Sequence, residues 1–184
     1  MIRPIYLYGS DVLRAKAQEA DPAQAASLKA LVSDLWETLA ASEGCGLAAP
    51  QIGVSQRVLV VDGNVMSDVY PELEGFRRTL INPVVLSASE ETSVYNEGCL
   101  SVPGIYCDVT RPRKIRLSYL DAELNPCEEE FDNFAARMIQ HELSHLDGVL
   151  FTDLVAPIRR KMIAGKLSRI SSGKVATRYK ARLK

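Results

Sequence analysis

The amino-acid sequence predicts an α+β fold, with mostly antiparallel sheets packed around a central H-E-x-x-H helix and a C-terminal helix after it. Two observations carry this prediction. Apolar residues recur at helical spacing near the start of the chain and again around residue 140, and a series of short β-like runs lies between the two stretches. The order helix, several strands, helix suits a sheet that buries one face against a helix. With 184 residues, no internal repeat and no long Pro/Gly/Ser linker, the chain divides into a body, 1–156, and a basic C-terminal helix and tail of the same domain, 157–184.

Each element has a local cause. Asp21-Pro22 reads as an N-cap followed by proline at the first helical position, and Leu28, Leu31, Leu35 and Leu39 continue a helix that ends near Gly44. Arg57–Asp62, Thr79–Ser87, Ile105–Val109 and Lys114–Leu120 read as strands separated by Gly, Pro, Asn and Asp. Asp132 is placed to cap a second helix running through His145, with Gly148 soon after it. A third helix starts near Pro157 and is expected to lose order around Ser171-Ser172-Gly173.

Composition excludes several classes. A hydrophobic content of 47% with 24% charged residues excludes a disordered or collagen-like chain. Runs such as Val58-Leu59-Val60-Val61 are too short to span a bilayer, and Met1–Tyr6 lacks the apolar core of a signal peptide, so a soluble, cytoplasmic protein is expected. Cys45, Cys99, Cys107 and Cys127, without a secretion signal, argue against a disulfide framework. The net charge of −1 conceals an asymmetry. Ten of the 22 basic residues and none of the 23 acids lie in 157–184, leaving −11 on the body against +10 on the tail.

Both histidines of the chain fall in His141-Glu142-Leu143-Ser144-His145. At about 3.6 residues per turn, positions i and i+4 lie one above the other, which suits two nitrogen ligands on one divalent ion. Glu142, beside the first ligand, is placed to act as general base and then as proton donor to a leaving group. Phe134, Met138, Ile139 and Leu143 make this helix buried on at least one side, and buried imidazoles need partners, which a metal supplies. A third ligand is offered by Cys99 in Glu97-Gly98-Cys99-Leu100-Ser101, read as a loop, whereas Cys107 and Cys127 read as small buried hydrophobes. One thiolate and two imidazoles are compatible with Fe(II), Zn(II), Co(II) or Ni(II). In Gly44–Gly53, read as a helix stop and an edge strand, Gln51 is an amide donor of the kind that stabilises an oxyanion.

These three segments together resemble the peptide deformylases. That family carries G-x-G-x-A-A-P-Q, E-G-C-x-S and Q-H-E-x-D-H in this order, matched here by Gly44–Gln51, Glu97–Ser101 and Gln140–His145. The resemblance implies removal of the formyl group from N-formylmethionine at the start of nascent polypeptides, by a water activated at the metal. It implies that Cys99, His141 and His145 bind one metal ion, Fe(II) before Zn(II), Ni(II) or Co(II), and that Glu142 moves the proton. Gln51, through its side chain, and Leu100, through its backbone N–H, would hold the oxyanion, and Gly46 would hydrogen-bond the substrate main chain. Phe134, Arg137 and Met138 precede His141 by seven, four and three residues and share its helix face, so with Cys45 they are expected to surround the methionine side chain. Ser144 departs from the family's Asp, which would supply charge toward an arginine near Arg111 or Arg113. Site rigidity and rate, rather than reaction type, are what that change touches.

The tail's basic residues are interleaved with Ile158, Met162, Ile163, Leu167 and Ile170 at helical spacing, so an apolar stripe is expected to pack on the body. Its charge reads either as a solvated face or, as in similar deformylases, as a ribosome-docking surface that meets RNA phosphates. Two alternatives compete with a deformylase. A zinc endopeptidase of the same motif needs a later His or Glu ligand, and after Asp147 the sole acid is Asp153. A catalytically weak, metal-binding homologue associated with the ribosome is the other, resting on Ser144 and the tail.

Overall fold

The computed structural model describes residues 1–183. These contain three α-helices, α1 (Ala25–Ser42), α2 (Asn133–Leu146) and α3 (Pro157–Ser171). A five-stranded antiparallel sheet takes the order β2 (Gly46–Ala48), β3 (Val58–Asp62), β4 (Arg77–Ala88), β7 (Lys114–Leu120), β8 (Pro126–Asp132). The hairpin of β5 (Thr92–Cys99) and β6 (Val102–Pro112) forms a second sheet, and β1 (Ile5–Tyr6) pairs in parallel with β9 (Ala181–Arg182).

The apolar run Val58–Val61 is continuous because β3 is covered on both faces. Val58 and Val60 pack with Leu28, Leu31, Leu35 and Leu39 of α1, while Leu59 and Val61 pack with Ala136, Ile139, Leu143 and Leu146 of α2. A third core joins Val102, Ile105, Cys107 and Val109 of β6 to Ile163, Leu167 and Ile170 of α3. Leu35 and Leu39 are almost wholly buried, so truncating either to alanine is expected to cost about 2–5 kcal/mol.

The α+β class stands, and β3, β4 and β7 match their predicted runs. Asp132 caps α2, accepting from the Asn133 N–H at 2.6 Å. Several boundaries differ. Asp21 caps a 3-10 turn (Pro22–Gln24) that leads into α1, and α1 is stopped by Glu43 in the left-handed region (φ 56°) rather than by Gly44. Cys99 is not in a loop: it is the last residue of β5, paired with Val102 across a register shift. The expectation of lost order beyond Ser171 also fails. The chain turns at Gly173 (φ 73°) and runs back as an ordered extended segment ending in β9, because Ile5 and Leu7 donate backbone hydrogen bonds to Lys180 (2.8 Å) and Arg182 (3.0 Å).

Candidate active site

The spacing of α2 brings His141 and His145 onto one face, with ring centroids 5.2 Å apart. The end of β5 delivers Cys99, whose Sγ lies 3.3 Å from His145 Nε2. One donor atom from each of the three residues lies within 4.8 Å of the others. At Gly98 the ring of Tyr106 packs on the backbone, and a Cβ there would lie 2.5 Å from it.

Glu97, two residues before Cys99, organises the surroundings. It is buried and accepts from Arg111 through Nε at 2.7 Å and Nη2 at 3.0 Å, and from Arg137 Nη1 at 2.8 Å. Its Oε2 meets His141 Nδ1 at 2.9 Å. That contact places the Nδ1 proton toward the carboxylate and leaves the Nε2 lone pair for a metal. Arg111 Nη1 donates to Ser144 Oγ (3.0 Å) and to the Gln140 carbonyl (3.3 Å), so Ser144 closes the network with a neutral oxygen.

Burial presses the Glu97 carboxyl upward, but the hydrogen bonds and charges of His141 and Arg111 outweigh it and hold its pKa well below the carboxylate range. Burial presses the two imidazoles downward. For His141, hydrogen bonds to Cys99 and Glu97 prevail and raise it to about 10, whereas His145, beside the cations of His141 and Arg111, stays well below its ordinary value. His145 Nδ1 and Glu142 Oε2 are buried without a hydrogen-bond partner. A half-buried thiol, two imidazoles and an unpartnered carboxylate oxygen fit a divalent cation with chemistry beside it.

Glu142 is raised to about 7, chiefly by burial, which suits proton transfer near neutrality. Its carboxylate packs directly on Gly46 in β2, where a Cβ would lie 2.5 Å from Oε1. Gln51 Oε1 accepts from the Ala48 N–H at 2.8 Å, which turns the amide NH2 toward Ser101 Oγ (3.2 Å) and Cys99 Sγ (3.7 Å). The orientation is therefore set by the backbone donor. Leu100 lies at the turn between β5 and β6, and its carbonyl accepts from Tyr179 Oη at 2.5 Å.

A cleft of about 710 Å³ opens beside this cluster. Of the sequence-selected residues, Cys45, Gly46, Gln51, Cys99, Leu100, Phe134, Arg137, Met138, His141 and Glu142 line it, and His145 lies just behind, 1% exposed. Phe134 stacks on Tyr70 at 4.6 Å and meets the edge of Tyr95 at 5.1 Å. The guanidinium of Arg137 is fully engaged, donating to Glu97, the Val109 carbonyl and Ser93. Sequence reasoning missed Met66, Tyr95 and Tyr106 of the lining, which come from loop and hairpin positions with no helical spacing to group them. It also passed over Glu97 itself, quoted only as the first letter of a motif. It placed residues 176–179 in a tail outside the site, yet they line the cleft.

A buried helix presenting two histidines and a glutamate, a cysteine brought alongside and a substrate-sized cleft define a metal-dependent hydrolase. The family model described as polypeptide deformylase matches residues 2–161. A peptide deformylase of Cytophaga hutchinsonii is 39% identical over 180 residues, covering 98% of this chain and 96% of the relative, and one of Fusobacterium nucleatum is 42% identical over 172, covering 92% and 93%. The crystal structure of the Thermus thermophilus peptide deformylase superposes with a TM-score of 0.83 at 36% identity, covering 94% of this chain and 99% of that one. The chain belongs to the peptide deformylase family, a family of metalloenzymes.

Proposed function

We propose that the cleft binds the formylmethionyl end of a newly made polypeptide and that Cys99, His141 and His145 hold one divalent ion, Fe(II), at its floor. Zn(II), Ni(II) and Co(II) suit the same borderline-soft donors. The observation that carries this reading is the unpartnered, buried Glu142 carboxylate beside three converging donor atoms. When bound, the ion supplies Lewis acidity that lowers the pKa of water and polarises the formyl carbonyl.

The chain's own residues do the rest. β2 is an edge strand, so the main-chain groups of Gly46 on its open side are available to a substrate backbone. Phe134, Met138, Cys45 and the stem of Arg137 receive the methionine side chain. As the water oxygen bonds to the formyl carbon, Glu142 accepts a water proton. The Gln51 amide and the Leu100 N–H donate to the carbonyl oxygen as it gains charge, a contribution of about 2.7–4 kcal/mol per donor in comparable sites. When the C–N bond breaks, Glu142 passes its proton to the departing nitrogen, leaving formate and a free amino terminus.

The experiment is formate release from formyl-Met peptides by anaerobically prepared, metal-loaded enzyme. Glu142→Ala is expected to abolish release with metal retained; full activity in that variant refutes the assignment.

Residues 157–184 belong, in this reading, to the same domain as 1–156, because Ile163, Leu167 and Ile170 are buried against the body. The exposed face of α3 carries Arg159, Lys161, Lys166 and Arg169 and is the surface we assign to ribosomal RNA. Lys161→Glu with Lys166→Glu is expected to weaken ribosome co-sedimentation at low salt while deformylation of free peptides is unchanged; undiminished binding refutes it. Nascent chains as substrate place this work in the cytoplasm, and no helix among the described residues is long and apolar enough to cross a membrane.

A further inference from the structure

After Gly173 the chain returns past the cleft in an alternating pattern. Val175, Thr177, Tyr179, Ala181 and Leu183 are half-buried, and Lys174, Ala176, Arg178, Lys180 and Arg182 are exposed, the period-two signature of an extended segment with one face on the body. The inward residues are anchored. Val175, Ala181 and Leu183 pack on the third core, and Tyr179 packs on the second core while its hydroxyl donates to the Leu100 carbonyl at 2.5 Å. Thr177 Oγ1 donates to the Tyr179 carbonyl at 2.7 Å, fixing the backbone on both sides of residue 178. This strap is therefore tied to the residue next to Cys99, and Ala176–Tyr179 form part of the cleft wall.

Arg178 is thus held between two fixed neighbours, exposed and among the residues that line the cleft. Among the described residues it makes no ion pair. The other exposed charged residue in the lining is Glu43, at the end of α1, and it lies beyond ion-pair distance of Arg178. The remaining charged groups of the lining, Glu97, Arg137, His141 and Glu142, are buried or nearly so around the ligand cluster. A substrate carboxylate near the strap consequently meets an arginine with no competing partner.

We propose that Arg178 is a specificity-determining residue of the cleft, selecting formylated peptides that carry an acidic side chain within the first few residues after the methionine. The proposal rests on the cleft being the peptide site, as argued above.

The test measures kcat/KM for formate release from formyl-Met peptides bearing Asp, Asn or Lys at the second, third or fourth residue. At one position the wild-type enzyme is expected to favour Asp over Lys by about 3- to 5-fold at low ionic strength, the scale of one accessible ion pair, with the ratio collapsing in high salt. Arg178→Ala is expected to level the Asp-to-Lys ratio and Arg178→Glu to invert it, the effect being read as that ratio within each variant. Glu43→Gln is expected to retain the Asp preference. Equal use of all peptides by wild type, an unchanged ratio in Arg178→Glu, or loss of the preference in Glu43→Gln overturns the proposal and leaves the deformylase reading standing. Absence of formate from every peptide overturns both.

Discussion

Gly46→Ala isolates the contact between the edge strand and the glutamate. An alanine Cβ would lie 2.5 Å from Glu142 Oε1 and 2.9 Å from both Cδ and Cγ, against ordinary contact at 3.4–4 Å, so one partner must move by about 0.9 Å. The strand cannot yield cheaply, because Gly46 is in register with Val61 and the preceding Cys45 carbonyl accepts from the Asp62 N–H at 2.8 Å. The movement therefore falls on Glu142, whose side chain is 4% exposed and has little room. Overpacking of this kind costs about 1–3 kcal/mol of stability. A catalytic group displaced by roughly 1 Å costs about 10²-fold in rate, or about 2.7 kcal/mol of barrier. Turnover of a formyl-Met peptide at saturation, metal content by atomic emission and thermal unfolding together check this. We expect kcat down by about two orders of magnitude with a full complement of metal, since the three atoms nearest the new Cβ all belong to Glu142, and Tm lowered by about 2–4 °C per kcal/mol lost. A kcat within threefold of wild type at full metal loading refutes the reasoning. Loss of metal instead refutes the assignment of the effect to Glu142.

Other perturbations separate the parts of the site. Glu97→Gln strands Arg111 and Arg137 in a buried setting and is expected to destabilise by about 3–5 kcal/mol in urea unfolding, and to weaken metal affinity by about 10- to 100-fold through loss of the His141 contact; wild-type stability refutes it. Cys99→Ala is expected to purify folded but without its metal, as measured by atomic emission and circular dichroism; full metal content refutes the ligand assignment. Asp153 gives a pH test. Burial raises its pKa, but bonds from Arg14 and the Leu150 N–H lower it further than burial lifts it. A depressed carboxylate stabilises the fold above its unfolded pKa of about 3.9 and loses that contribution as pH falls through the folded value. The stability gap between wild type and Asp153→Asn is therefore expected to shrink between pH 6 and pH 2.5, and a constant gap in urea titrations refutes it.

The helices and the pairing of His141 with His145 on one face were legible because their signals are local. The i, i+4 histidines need one helix, and the leucines of α1 need one face. What was not legible depends on pairing. β8, with Glu128-Glu129-Glu130 at its centre, has no apolar run to mark it, yet it is an edge strand whose acids face Arg116 and Arg78 across the sheet. β5 is exposed along much of its length, with Val94 64% exposed, so its sequence has no buried alternation to report. The strap alternates as well, but the expected loss of order around Ser171-Ser172-Gly173 left it without an assigned element. The short pairing with β1, whose partners lie 176 residues apart in sequence, cannot be seen from either segment alone.

Glu97 shows why Ser144 is tolerated. Arg111 and Arg137 bring two positive charges to a buried region, and Glu97 is the acid that meets both. An aspartate at 144 would compete with Glu97 for Arg111. With serine there, Arg111 Nη1 finds neutral acceptors in Ser144 Oγ and the Gln140 carbonyl, while Nε and Nη2 remain on Glu97. Every polar atom of the network stays paired, and the carboxylate that orients His141 keeps both its cations. The departure from the family pattern removes a charge from the rim of the network and leaves the contact that sets the imidazole in place.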